Sequence, residues 1–133
     1  MTSEESPRDE ANRWLAQARK DLNAARVLAS PEPSRSVFHS QQTAEKAAKA
    51  YLAFHEVQFR KTHDLIELGR QCAALNAALA PFLMEAADLT DYATVFRYLD
   101  APREPDEKEA AGALEIARRL FEEISTLLTP GPG

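Results

Sequence analysis

One cysteine, one tryptophan and four glycines in 133 residues exclude several classes of protein at once. A single thiol, Cys72, closes no internal disulfide, and no Cys/His grouping has the spacing of metal ligands, so neither a metal nor a cofactor is expected. Cys72 sits in an alanine-rich helical stretch and reads as a small core residue rather than a nucleophile. Gly69 and Gly112 stand alone within helical patterns, while Gly131 and Gly133 fall in the tail. No phosphate-cradling glycine loop or nucleophile elbow can be built from them. The N-terminal "MTSEESPRDE" is polar and acidic, and no apolar run nears the ~18 residues of a membrane span, so a cytoplasmic protein is expected. Basic residues are outnumbered 16 to 21, a formal net charge of −5, so any nucleic acid must be held by a local patch.

Strand-like alternation is nearly absent, whereas helix formers dominate. The 44% hydrophobic and 28% charged composition suits one soluble globular domain of this length. Prolines at positions 7, 31, 33, 81, 102, 105, 130 and 132 bracket the helical patterns without interrupting them. The expected helices run from Asp9 to Ala29, from Ser34 to Val57, from a cap at Thr62 or Asp64 to Leu75, from Pro81 to Leu99, and from Asp106 to Leu128. Asn76 closes the third, and Thr90 or Asp91 offers a second cap where the fourth would bend. The expected fold is all-α, an antiparallel up-and-down helical bundle of four long helices plus one short helix. It would occupy residues 9–128, between a flexible N-terminus (1–8) and a disordered C-terminal tail (129–133).

Helical wheels at about 100° per residue place polar groups where the faces should be dry. The first helix aligns Trp14, Ala18, Leu22, Ala25 and Leu28, with Asp21 in their midst. The second aligns Val37, Ala44, Ala48, Tyr51 and Leu52, with Gln41 inside the arc and Glu45 at its border. Beside that arc runs a strip of Arg35, His39, Gln42, Lys46 and Lys49. The fourth aligns Phe82, Ala86, Leu89, Ala93 and Phe96, with Arg97 at the edge; Leu65, Leu68 and Met84 also read as core. A carboxylate on such a face must be paired, wet or neutralised. One reading is a buried polar network of Asp21, Gln41, Glu45 and Arg97, with Asp21 or Glu45 paired to Arg97 to fix helix register. The other is a site between facing helices. Glu45 and Lys49 also have the spacing of an ordinary i,i+4 pair. His63 in "THDL" either helps cap the third helix or meets a phosphate as an acid–base group. His55, near the end of the second helix, reads as a packing residue.

Taken in order, "RWLAQARKDLNAARVL", "VFHSQQTAEKAAKAYL", "KTHDLIEL" and "DYATVFRYLD" resemble the prokaryotic HEPN domain over roughly residues 11–125. The resemblance implies a helical bundle that forms a homodimer, with sites near the groove between protomers. It also implies a minimal nucleotidyltransferase partner, in a toxin–antitoxin-like or split nucleotide-handling system. A nucleotide or RNA is the implied ligand, and no membrane is involved. The residues that match those thought to line the family's binding groove are Gln42, Glu45, Lys46, Lys49, His63, Arg97 and Tyr98, beside Arg35 and His39 of the strip.

Some relatives are metal-independent ribonucleases that carry Arg, four to six residues, then His on one helix. Here three residues separate Arg35 from His39, two separate Arg60 from His63, and no histidine follows Arg97. Leu99 stands where the family usually has proline after "RY". The first expectation is therefore a nucleotide- or RNA-binding protein without that catalytic pair. The alternatives are a ribonuclease toxin with a rearranged site, for which His63 and Arg97 are the catalytic candidates, and a structural adaptor that binds no ligand.

Overall fold

The computed structural model of the chain describes residues 5–97 and 104–130, the side chains of 90–97 excepted. Among these residues five α-helices follow one another: α1 (Pro7–Leu28), α2 (Pro33–Phe54), α3 (Leu65–Leu75), α4 (Ala80–Arg97) and α5 (Glu107–Leu128). A single 3-10 turn (Ala77–Leu79) joins α3 to α4, and no strand occurs among the described residues.

The helix starts follow from local chemistry. Ser6 accepts the amide of Asp9, and Pro7 fills the first turn, so α1 begins two residues before the expected Asp9. Asp64 caps α3 by accepting from the amides of Ile66 and Glu67; Thr62 instead accepts the amide of Asp64. Asn76 closes α3 and accepts the amide of Ala78 in the 3-10 turn. Asp106 and Glu109 satisfy each other's amides in a capping box at α5. α4 runs unbroken through Thr90 and Asp91, so neither makes a second cap, and Pro81 lies within its first turn.

The end of α2 differs from the sequence pattern. The helix stops at Phe54, three residues short of Val57, because Glu56 takes a left-handed backbone with φ 57°. The amide of Glu56 then bonds Ala53 O at 3.1 Å, and that of Val57 bonds Leu52 O at 2.9 Å. This is the Schellman arrangement, in which glycine is the usual occupant of the left-handed position. Relief of about 1–2 kcal/mol of left-handed strain, less about 0.5–1 kcal/mol of extra unfolded-chain entropy, predicts that Glu56→Gly raises stability by about 0.5–1 kcal/mol. Urea denaturation of the variant would show this as a higher midpoint, and a lower midpoint would contradict the assignment.

α2 is the central element, packed against all four other helices. Its alanines Ala44, Ala47, Ala48 and Ala50 are fully buried and let neighbouring backbones approach closely. α1 and α2 form an antiparallel hairpin. Ser36 Oγ donates to Ala25 O at 2.7 Å, and Thr43 Oγ1 lies 3.4 Å from Ala18 O and 2.8 Å from His39 O. Leu52, Leu65, Leu68, Leu79, Leu89, Leu120 and Ile124 fill the interior. Cys72 is buried among them with its thiol 3.5 Å from Ala48 O. Burial pushes that thiol up to about 12, so it stays protonated and inert at neutral pH.

Four core assignments change. Met84 is 73% exposed, because it projects from the side of α4 opposite Ala86 and Leu89. Trp14, Leu28 and Phe82 are only half-buried, at the margins of their stripes. Ala93 and Phe96 have side chains outside the described residues.

Candidate functional site

On α1, Glu10, Trp14, Gln17, Asp21, Ala24 and Leu28 recur at alternating spacings of four and three. Arg35, His39, Gln42, Lys46, Lys49 and Ala53 do the same on α2. Such spacing keeps one stripe on one side of a helix. The antiparallel hairpin then sets the two stripes edge to edge as a polar seam, flanking the apolar contact made by Ala18, Leu22 and Ala25.

Asp21 is the first anchor of the seam. Its Oδ1 lies 2.7 Å from His39 Nδ1, and its Oδ2 accepts from Lys46 Nζ at 2.6 Å. The carboxylate side chain is 12% exposed, so the pair is screened from most of the solvent. Glu45 is the second anchor and is more deeply placed, at 2% exposure. Lys49 Nζ donates to its Oε2 at 3.2 Å, and His63 Nδ1 meets Oε1 at 2.9 Å and Oε2 at 3.1 Å. Lys49 Nζ also stands 5.3 Å from the centre of the Trp14 ring, a cation–π contact.

Each carboxylate thus holds one lysine and one histidine, and holds the histidine by Nδ1. A histidine fixed through Nδ1 presents Nε2 outward, the arrangement that orients an imidazole for proton exchange or for binding an anion. His63 shows this most openly, since its side chain is 80% exposed while its partner is buried. The capping role falls to Asp64, and His63 reaches back from the loop to α2 instead. The pair Glu45–Lys49 has the expected i,i+4 spacing but is buried, so it is more than a surface pair. Arg35 is exposed on α2 with no hydrogen bond or ion pair among the described residues. Gln41 and Gln42 are half-buried beside the seam.

Asp21 and Glu45 have the partners given above, and the expected pairing of either with Arg97 lies outside the described residues. Arg97 ends α4, but its side chain, like the whole of Tyr98, lies outside the described residues. His55 packs its ring against Tyr51 at 4.6 Å and Phe54 at 5.1 Å.

The seam opens at one end into a cleft of about 760 Å3 between the start of α1 and the turn after α2. Trp14, Lys49, Glu56, Phe59 and Lys61 are among its walls. Sequence reasoning singled out Trp14 as core and Lys49 as strip, and passed over Glu56, Phe59 and Lys61. The usable signal was the aromatic Phe59 in an otherwise polar loop, since such a residue must pack on something; it meets Trp14 edge-on at 6.2 Å. Among the described residues no group of His, Cys, Asp and Glu could hold a metal ion. No described helix is long and apolar enough to cross a membrane.

The sequence profile of the HEPN domain matches residues 11–127, nearly the whole chain. The chain belongs to the HEPN family. An archaeal HEPN homologue of known crystal structure has the same fold, with a TM-score of 0.70 and 25% sequence identity. That likeness covers 90% of this chain and 98% of the archaeal one. No functionally curated protein matches it. The HEPN assignment therefore covers both helices of the seam, α3 and α5. The residues that resembled the family's groove divide by position: Gln42, Glu45, Lys46, Lys49 and His63 gather at or beside the seam of this HEPN protein, and Arg35 and His39 continue it.

Proposed function

We propose that this HEPN protein binds nucleotide or RNA phosphates along the α1–α2 seam and acts as a homodimer with a minimal nucleotidyltransferase partner. The observation that carries the reading is the pair of carboxylate-anchored lysine–histidine sets, which brings two lysines and two histidines together at the seam, the His63 imidazole 80% exposed. Pre-set donors of this kind bind a phosphate without first losing side-chain freedom. The local charge is modest, because Asp21 and Glu45 offset Lys46 and Lys49, leaving Arg35 as the uncompensated cation. Binding should therefore be moderate and sensitive to salt.

The test is a titration of labelled short RNA and of nucleotides at low salt, with the wild type and with Arg35→Glu/Lys46→Gln. Both substitutions leave the buried Glu45–Lys49 pair and the Asp21–His39 contact intact, and circular dichroism checks that the variant folds. Loss of two phosphate contacts should weaken RNA binding by about tenfold or more and flatten its salt dependence. Unchanged binding of every ligand would end this reading.

A second reading has its own observation. Every carboxylate oxygen of Asp21 and Glu45 already has a partner within the chain, so the network is satisfied without a ligand. Under that reading the protein is an adaptor that recognises its protein partner, and no nucleotide or RNA raises its Tm.

A further inference from the structure

The cleft at the end of the seam has a chemistry of its own. At about 760 Å3 it falls within the range of small-molecule sites. Its walls combine the half-buried rings of Trp14 and Phe59 with charged groups of both signs. Several of those charges are already committed. Glu5 is bound by Arg13 through two hydrogen bonds of 2.8 and 3.1 Å, Glu10 Oε2 accepts from Trp14 Nε1 at 3.4 Å, and Lys49 donates to Glu45. Glu56 and Lys61 remain, both exposed, with side chains that make no hydrogen bond or ion pair among the described residues.

A ligand that completes this cleft needs a flat apolar body, an anionic end for Lys61 and hydrogen-bond donors for Glu56. An ionised carboxylate only accepts. The Watson–Crick edge of guanine offers two adjacent N–H donors, N1–H and the 2-amino group, and matches both oxygens at once. Adenine and cytosine pair one donor with an acceptor at that edge, and uracil flanks one donor with two carbonyls, so each sets an acceptor against the carboxylate. The backbone supports the choice: Glu56 occupies a left-handed position that glycine would fill with less strain. Retaining a carboxylate at such a position is the pattern of strain kept at a working site.

We propose that this cleft seats one guanine nucleotide, with the base against Trp14 and Phe59, its N–H edge on Glu56 and its phosphate on Lys61. The proposal rests on the reading of the seam as a nucleotide or RNA site, and names the unit held at its end. The unit is either free guanosine monophosphate or the 5′-phosphorylated guanylate that ends an RNA strand.

Trp14 is the sole tryptophan of the chain, so its emission reports this cleft directly. The experiment titrates the full chain with guanosine, inosine, adenosine and uridine 5′-monophosphates, with guanosine, and with a short RNA bearing a 5′-phosphorylated guanylate. Guanosine monophosphate should change the Trp14 emission saturably. The inosine analogue, which lacks only the 2-amino group, should bind at least tenfold more weakly, and the adenosine and uridine analogues more weakly still. Glu56→Gln should bring guanosine monophosphate down to the level of the inosine analogue. Lys61→Ala should weaken the monophosphate but leave guanosine unchanged. Both variants lie at exposed positions, and circular dichroism checks that they fold. Tighter binding of the RNA than of the free monophosphate would identify a strand end as the occupant, and equal binding a free nucleotide; both support the proposal. No emission change with any guanine ligand, or equal affinity for guanosine and uridine monophosphates, overturns it. Should RNA still bind in a manner lost on Arg35→Glu/Lys46→Gln while Trp14 stays silent, the cleft assignment fails and the seam reading stands. Absence of all nucleotide and RNA binding removes both.

Discussion

Glu45→Ala should lower the free energy of unfolding by about 3–5 kcal/mol, the usual cost of removing one partner of a buried ion pair. The effect comes less from a lost attraction than from what stays behind. Lys49 would keep its ammonium at 9% side-chain exposure, with the Trp14 ring at 5.3 Å as its remaining favourable contact. A cation–π contact returns about 0.5–2 kcal/mol, too little to offset that desolvation. Single domains hold about 5–15 kcal/mol in all, so the substitution would consume a large share of it. At this chain length the corresponding fall in Tm is roughly 10–20 °C. His63→Ala should cost far less, because the imidazole is largely solvated. The double substitution Glu45→Leu/Lys49→Met should recover most of the loss, since a well-packed apolar pair replaces a buried ionic one at little cost. A single-variant loss below about 1 kcal/mol would mean that water reaches this pair freely.

The second large effect is expected at Leu52. This side chain is fully buried on the helix that touches every other helix, and its carbonyl accepts the amide of Val57 at the Schellman turn. Leu52→Ala should cost about 2–5 kcal/mol, part from lost transfer energy and part from the cavity left in a fold that collapses only partly. The same truncation at Val27, 72% exposed on α1, should stay within about 0.5 kcal/mol. Urea denaturation of both variants separates the cases: the midpoint falls for Leu52→Ala and holds for Val27→Ala, with similar slopes. Equal effects would contradict the burial that distinguishes them.

Much of the fold was legible from local chemistry, and its errors have local causes. The caps at Asp64 and Asp106 and the closure at Asn76 follow from side chains that accept backbone amides. The end of α2 was not legible, since glutamate carries no sign that it will enter a left-handed turn. The hydrophobicity of Met84 alone suggests core, although its angle on α4 puts it on the side opposite Ala86 and Leu89. For the site, wheels found the polar stripes on α1 and α2 separately. They did not show that the stripes meet, which depends on the register of the hairpin. The Glu45–His63 contact joins residues 18 apart through a loop, and no helical period encodes a loop's path.

The hairpin also has a consequence for the order of folding. Its hydroxyl contacts join residues 11 to 25 apart in the chain, whereas Arg8 on α1 reaches Leu128 O across 120 residues. Short loops close at lower entropic cost than long ones, so contacts of the first kind form sooner. Substitutions at Ala18 and Thr43 should accordingly slow folding, while those at the α1–α5 contact should chiefly speed unfolding. The seam would then be assembled on a nascent two-helix unit before the last helix arrives to enclose the core.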